Sequence, residues 1–574
     1  MTDQEYNPHT DDLLDVLIIG AGPCGLGVAA RLKETTPSAL FTDEEHHRYH
    51  WIRRHGRRVA IAGKKNKSKS KSKTKCAQSC TDKLPPSPPS SPPSSTESGA
   101  SAEDDSGSGS EYNGRPKILT LDIVSDTWLG QWHRAFQKLE IAHLRSPMFF
   151  HVDPGDRDGM LAYTQETGRE KELGEISGCV GKEISKHKQK KRLARQTKNR
   201  GVIGDVEVEI DERDRKDYFT PSTGLFADYC TSIVERYGLD CPGLVLKKEV
   251  VDIQYGEFEN DDWGKGFTVK ASDGSVFYAR AVVLAIGPGR TKNYPFPLSD
   301  EEKAAACHTS EIGPLPSLRV QGLIKQRRET NVVVVGGGLT SAQIADLAVR
   351  KGVSKVWHLM RSDVKVKHFD ISLNWMGKFK NYEKAVFWSA DTDEERLQMI
   401  QTARNGGSIT PHYLKILKQH ILNRRVSIHP RTSIIEHKYC PESQTWHLTT
   451  NPPIPDLPPI DYIYFATGMK SDVNEFPLLQ SMHRDYPIET KQGLPCITDD
   501  LMWQPDLPLF VTGRLAALRL GPGGGNLEGA RMGAERIAWG LEEMLENNNK
   551  RRESETEIDC FCGLGNRYAK LEVD

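Results

Sequence analysis

Cysteine is sparse, with 11 residues scattered through a chain of 574. No dense disulfide framework follows from that number. The close pairs Cys76/Cys80 and Cys560/Cys562 have no second half that would complete a zinc site, so no metal is expected. Long apolar runs are missing as well: no segment of roughly 18 or more apolar residues is present to span a bilayer. The stretch from Met1 to Asp12 is polar and lacks the basic-then-apolar run of a secretory signal. A soluble intracellular, cytoplasmic protein is the expectation. Charge of one sign is not in excess, because 77 lysines and arginines face 78 aspartates and glutamates for a net −1. That balance excludes a global electrostatic case for nucleic acid or an anionic membrane as main partner. A legible acid/base pair is also absent, and the sequence assigns no catalytic residue.

The chain does contain enough apolar residue, 37%, for two or more packed cores. Its mean hydropathy of −0.55 leaves sizeable stretches outside them. One such stretch is plain: KKNKSKSKSKTK at 64–75 passes into PPSPPSSPPSS at 85–95 and then an acidic Ser/Gly run to Ser110. This composition buries too little apolar area to order itself and predicts a disordered insert. Its basic part reads either as a solvated run or as a nuclear-import patch, and Lys186 to Arg200 is a milder case of the same pattern.

Outside the insert, one pattern occurs twice. DVLII at 15–19 is a short buried-strand pattern that runs into GAGPCG and the helical GVAARLKE; NVVVV at 331–335 runs into GGGLTSAQIADLAVRK in the same manner. Each unit ends in a similar module. VVDIQYGEF, GFTVKASDG and SVFYARAVVLAIGPG read as a β-meander with a return strand, and VSIHPRTSIIEHKY, TWHLTT and DYIYFATGM do likewise. Two strand-turn-helix units, each closed by an Ala-x-Gly turn, predict an α/β fold with two Rossmann-like dinucleotide-binding domains, each bearing a β-meander.

In the first motif Gly20 permits the turn from strand to helix, Gly22 lets backbone approach a pyrophosphate, and Gly25 with Ala29 lets helix and strand pack closely. The helix start would then offer free amides and its partial positive charge to the phosphates. The strand pattern ALFT leads to Asp43, Glu44 and Glu45, among which Glu44 is favoured for the ribose hydroxyls; the alternative is a solvated acidic turn. The second motif keeps Gly336 and Gly338 and puts Ser341 in the third glycine slot. Its acidic position is replaced: the strand VWHLM ends at Arg361, with Lys365 and Lys367 close behind and able to share its role. A guanidinium there pairs bidentately with a 2'-phosphate, favouring NADPH over NADH, against the alternative of a basic surface patch. Near the C-terminus FVTG, ending at Gly513, precedes a glycine-rich turn (521–525) and Asn526, which enter an amphipathic helix. That turn suits close approach to a ligand, with Asn526 placed to hydrogen-bond it.

These residues resemble the class B flavin monooxygenases, within them the branch typified by lysine and ornithine N-hydroxylases. The marks are GAGPCG, Trp51 closing EEHHRYHW, His308-Thr309-Ser310, GGGLTSAQ, and the run Asp461 to Gly468 that contains Phe465-Ala466-Thr467-Gly468, with Met469 where the family pattern has tyrosine. HLRSP at 143–147 and NWMGKFKNYEKAVF at 374–387 are similar to the oxidative-stress-induced growth inhibitor family. The resemblance implies FAD in the first unit and NADPH in the second. It adds Trp51, Thr467, Gly468, Gly513 and Asn526 to the cofactor residues and places the last helix against the flavin pyrimidine. It does not carry over the amine-binding residues, because the insert interrupts the stretch after Trp51.

The organisation this implies is a polar tail at 1–12, a first FAD segment at 13–52, the insert at 53–116, a second FAD segment with the substrate side at 117–328, the NADPH domain at 329–460, a third FAD segment at 461–545, and a tail at 546–574. The activity implied is NADPH-dependent monooxygenation of a small organic substrate by O2 through a C4a-peroxyflavin. His143, Arg145, His151 and Asp153 are candidates for the flavin face. The alternatives are a flavin-binding regulatory protein with weak NADPH oxidase activity and a disulfide reductase, whose second cysteine is missing beside Cys24. An oligomer stays open.

Overall fold

The computed structural model describes residues 13–34, 116–176, 179, 215, 217–258, 263–287, 289, 291–376 and 380–552. Glu44, Trp51, residues 53–115 of the insert, the basic run at 186–200, the tail at 1–12 and residues 553–574 of the other tail lie outside them; residues 546–552, expected in that tail, continue the last helix. Two sheets organise what is described. Strand β1 (Leu13–Ile19) is almost wholly buried, as expected for an apolar strand covered on both faces of a parallel sheet. It feeds helix α1 (Pro23–Lys33). On one side β1 pairs in parallel with β2 (Ile118–Asp122), which pairs with β3 (Val245–Lys247), reached through helix α2 (Thr223–Arg236). The meander β4 (Val250–Glu257), β5 (Lys265–Ala271) and β6 (Val276–Leu284) then folds back. The second half of β6 closes on the other side of β1, because the nine-residue strand is long enough to serve the meander and the parallel sheet in turn.

The second sheet is built around β8 (Asn331–Val335), which feeds helix α3 (Leu339–Arg350) and pairs in parallel with β9 (Lys355–Leu359). Beyond β9 lies β10 (Val426–His429), and the hairpin of β11 (Ser433–Cys440) and β12 (Thr445–Asn451) follows. On the far side of β8 stand β13 (Tyr462–Phe465) and, at the edge, β7 (Ala306–His308). The chain then returns to the first sheet as the hairpin β14 (Met502–Gln504) and β15 (Leu507–Val511), with β15 parallel to β6. It ends in the long helix α4 (Leu527–Arg552). Among the described residues no helix is long and apolar enough to cross a membrane, and no group of side chains could hold a metal ion.

ALFT at 39–42 lies outside the described residues, among which β1 has β2, from beyond the insert, and β6 as its neighbours. Two other sequence expectations change. Strands β7 and β13 belong to the second sheet, so the boundaries drawn at 328/329 and 460/461 cut through it: β13 is the neighbour that completes the parallel set around β8. The run VSIHPRTSIIEHKY is two strands. Pro430 has no N–H to give a ladder and Arg431 adopts φ +52°, so the chain turns between β10 and β11.

Helices α1 and α4 pack together across a buried ion pair. Arg31 Nε donates to Glu535 Oε2 at 2.7 Å, with side chains only 5% and 3% exposed. Removing one partner would leave the other charge buried without its counter-ion. Glu535→Ala is therefore expected to destabilise the protein by about 3–5 kcal/mol, measured by urea unfolding; a loss below about 1 kcal/mol would assign the helix contact to apolar packing alone.

Candidate cofactor site

Each glycine loop is wedged against the alanine of an Ala-x-Gly turn. Gly20 has φ +110°, and a Cβ there would stand 2.4 Å from the Ala285 carbonyl oxygen. Gly336 has φ +150°, and its Cβ would stand 2.3 Å from the Ala466 carbonyl oxygen. No side chain fits either place. The flanking hydrogen bonds repeat as well. Gly20 N donates to Leu121 O at 2.8 Å and Ala285 N to Ile19 O at 2.8 Å; Gly336 N donates to Leu359 O at 2.9 Å and Ala466 N to Val335 O at 2.7 Å. Each loop is thus pinned between the two strands that flank its own. Gly22 and Gly338 are the N-cap residues of α1 and α3, and neither helix start has a side-chain cap. Amides left without a capping oxygen beside the helix dipole are what a phosphate needs. At Gly22 an added Cβ meets nothing within 4 Å, so the protein leaves that approach open. At Gly25 an added Cβ would lie 2.0 Å from Gly20 O, the close helix-to-strand packing expected of the third glycine.

The acid at the end of the second strand is Asp122. Its Oδ2 accepts from Ala21 N at 2.9 Å, and its Oδ1 accepts from Val124 N at 2.8 Å and Ser125 N at 3.1 Å. The carboxylate therefore fixes the glycine loop from the position at which Glu44 was expected. The signal was present in ILTLD, a strand pattern closing on an acid, but ALFT followed by three acids is nearer α1 in sequence. In the second loop Ser341 is fully buried and its hydroxyl donates to Gly338 O at 2.7 Å, inside the first turn of α3. Its hydroxyl packs the turn. Sequence reasoning also missed His358, a buried ring whose Nε2 lies 2.8 Å from Gly336 O. Burial pushes its pKa down to about 4, so the neutral ring donates to that carbonyl.

Arg361 lies two residues past the end of β9, a strand flanked by β8 and β10, and is exposed. Lys365 and Lys367 do not stand with it. Their ammonium groups donate to the C-terminal carbonyls of the helix Asp393–Arg404 and the residue after it: Lys365 to Asn405 O at 2.8 Å, Lys367 to Arg404 O at 2.9 Å.

Thr467 and Gly468 lie in one of two strands of chain that cross side by side between the sheets. The Thr467 hydroxyl donates to Asn293 O, Lys470 N donates to Thr291 O at 2.9 Å, and the Gly468 carbonyl accepts from His308 Nε2 at 3.0 Å. Their polar groups bind the crossing together, while Ala466 just before them walls the second loop. Gly513, at φ +70°, borders the first loop, where a Cβ would lie 3.2 Å from Cys24 Sγ. Asn526, expected to reach the flavin ring, donates from Nδ2 to Asp370 Oδ1 at 3.1 Å; Asp370 also takes Arg404 Nη2 at 3.0 Å, and Arg404 Nη1 reaches Pro522 O at 2.9 Å.

The four flavin-face candidates separate. His143 is exposed and bridges Ser222. His151 and Asp153 are fully buried: His151 Nε2 contacts Arg157 O at 2.8 Å, and Asp153 accepts from Tyr229 Oη and Arg236 Nη1, both at 2.8 Å. Burial, with Arg531 nearby, pushes His151 down to about 4. These two form an interior polar cluster. Arg145 alone reaches across to the segments at 367–369 and 408.

Residues 215–457 match the family model described as L-lysine 6-monooxygenase/L-ornithine 5-monooxygenase. Among solved structures, the fold is similar to the ornithine N-hydroxylase of Kutzneria sp. 744, whose structure is described with reduced FAD, NADP+ and L-ornithine. That likeness has 14% identity and a TM-score of 0.54 over 93% of this chain and 100% of that one. It is similar to the ornithine hydroxylase of Pseudomonas aeruginosa at 14% identity and TM-score 0.53, over 93% and 100% of the two chains. It is also similar to the L-lysine 6-monooxygenase of Pseudomonas syringae at 16% and 0.50, over 92% and 99%. These likenesses show the fold. No curated protein sequence matches the chain.

The two glycines of the first loop separate folding from binding. Gly22→Val is expected to yield folded, colourless protein, because its side chain enters open space that only a pyrophosphate would occupy. Gly25→Val is expected to lose soluble protein altogether, because its side chain meets backbone. Absorbance at 450 nm against circular dichroism reads both; flavin-replete Gly22→Val protein would remove FAD from this loop.

Proposed function

We infer that this chain is a class B flavin monooxygenase, and on that premise we propose that it hydroxylates a small organic substrate using FAD, NADPH and O2. The observation that carries the reading is the repeated loop: two sheets with parallel centres in one chain, each presenting an uncapped helix start beside a glycine wedged on an Ala-x-Gly turn. In this reading the α1 loop, with Gly20, Gly22, Gly25 and Asp122, holds FAD, and the α3 loop, with Gly336, Gly338 and Arg361, holds NADPH. Once bound, the flavin supplies hydride acceptance and oxygen activation. The chain's residues bind and orient the two nucleotides and keep water from the place where they meet.

Cys24 does not support disulfide chemistry. Burial pushes its thiol up to about 11, away from the thiolate range, and the described cysteines are all free. Ornithine and lysine, the substrates named for similar proteins, are candidates within the broader class of small amines. Anaerobic addition of NADPH should bleach the flavin, and admission of oxygen should yield a transient absorbing species before the oxidised spectrum returns. Immediate reoxidation with stoichiometric peroxide, whatever amine is present, would point to an oxidase. A flavin that NADPH cannot reduce would favour the regulatory alternative.

With Lys365 and Lys367 held at the helix end, Arg361 faces the 2'-phosphate without their help. Charge-assisted bonds from one guanidinium to a phosphate are worth roughly 1.5–3 kcal/mol, about tenfold to a hundredfold in affinity. Arg361→Ala should raise KM for NADPH by about that factor and leave NADH kinetics nearly unchanged. Equal weakening of both nucleotides would make Arg361 a structural residue.

A further inference from the structure

We propose that Arg145 is a positioning residue for hydride transfer, a guanidinium from the first lobe that sets where the second lobe presents its nicotinamide nucleotide. The proposal rests on the functional reading above and begins from a small block at the border of the two lobes, where Ile409 packs in the core of the second sheet and Phe369 and Ala403 in that of the first. Segments 365–369 and 408–409 are tied together: Lys367 N donates to Ile409 O at 3.0 Å, and Ile409 N to Lys365 O at 2.9 Å. Lys365 and Lys367 fasten the same segment to residues 403–405. Gly407 then rests on the second glycine loop, where a Cβ on it would lie 3.1 Å from both the Cα and N of Gly338. The block is therefore continuous with the helix start assigned to the NADPH phosphates.

Arg145 enters this block from the first lobe and is held almost entirely by carbonyls. Its Nη2 reaches Phe369 O at 2.7 Å, Ser408 Oγ at 2.8 Å and Lys367 O at 3.0 Å; Nη1 reaches Ser408 O at 3.3 Å and Nε reaches His368 O at 3.4 Å. No carboxylate is among these partners, so the hold depends on the planar fork aiming several N–H groups at once as well as on charge. Burial draws its pKa down to about 10, which leaves it charged at neutral pH. The seam continues through Asp370, which joins Arg404 to Asn526 beside the glycine-rich turn. Arg145 thus spans from the segment 143–147 of one lobe to a block that touches the phosphate loop of the other. Lysine at this position keeps a positive charge but loses the fork; Phe369 stays packed in the first core, while residues 408–409 and the loop that Gly407 touches would be free to shift against it. Hydride transfer is sensitive to displacements of that size, since misplacement by about 1 Å can cost about a hundredfold in rate.

The test compares Arg145→Lys with Ser408→Ala, which deletes one acceptor only. Expected for Arg145→Lys are unchanged FAD content and an NADP+ dissociation constant within about twofold, with anaerobic flavin reduction at saturating NADPH slowed about tenfold to a hundredfold. Ser408→Ala should show a smaller slowing in the same direction. Backbone hydrogen exchange at 365–369 and 404–409 should quicken in Arg145→Lys. Wild-type reduction rates with unchanged exchange would overturn the proposal, and so would a slowing explained by lost FAD or weaker NADP+ binding. If NADPH fails to reduce even the wild-type flavin, the functional reading falls by itself, and the exchange measurement still decides whether Arg145 holds the block.

Discussion

Two close contacts set the architecture: a glycine α-carbon pressed on an alanine carbonyl, once in each lobe. A hydrogen in place of a methyl lets the strand-to-helix turn at Gly20 lie on Ala285, and the same holds at Gly336 on Ala466. Everything that could bind a nucleotide is referenced to these contacts. The helix starts at Gly22 and Gly338 are aimed by them, and the strands β6 and β13 end where they do because their Ala-x-Gly turns must meet the loops. The constraint acts on backbone rather than side chain, which is why it recurs with the same hydrogen bonds although the two loops share few residues beyond glycine.

The lobes carry the same device and are joined by contacts of another kind. Two crossings run side by side, with His308 holding the Gly468 carbonyl and Thr467 holding Asn293. Away from the crossings, a second attachment is made where Phe369, Ile371, Ile400 and Ala403 pack in the first core and Arg145 holds Ser408 beside the second glycine loop. A hinge by itself restrains only the axis of rotation, whereas a second attachment also restrains the angle. Most residues in this second attachment were expected on the sequence to touch cofactor or were not singled out at all.

What was legible in the sequence was what repeats locally. The glycine loops, the meander and its return strand, and the position of Arg361 follow from short-range pattern, because strand period, turn chemistry and helix start all lie within a few residues of one another. Long-range substitution was not legible. ILTLD is as good a strand as ALFT, and only the sheet reveals that it lies beside β1 and brings Asp122 to the loop. Polar residues in apolar segments were equally ambiguous: His151, Asp153 and Arg145 look alike in sequence, yet two close an interior network and one crosses to the other lobe. Ser341 shows the same limit, since nothing local says that its hydroxyl folds back on Gly338.

The pairing of β1 with β2 carries a consequence for how such a chain can lengthen. Ala21 and Asp122 bond although 101 positions separate them, where an ordinary crossover needs about a dozen residues or a few more. Closing a flexible loop grows costlier only as the logarithm of its length, about 0.6 kcal/mol per doubling. For a loop of that kind, extension from about 20 to about 100 residues costs roughly 1.4 kcal/mol, less than one well-buried apolar side chain contributes. Kinetics bear more of the burden than stability, since a central strand pair must form across a long separation before the first sheet can close. A sheet whose second strand arrives this late can accept new sequence at that crossover with little change in equilibrium stability, while its folding rate records the addition.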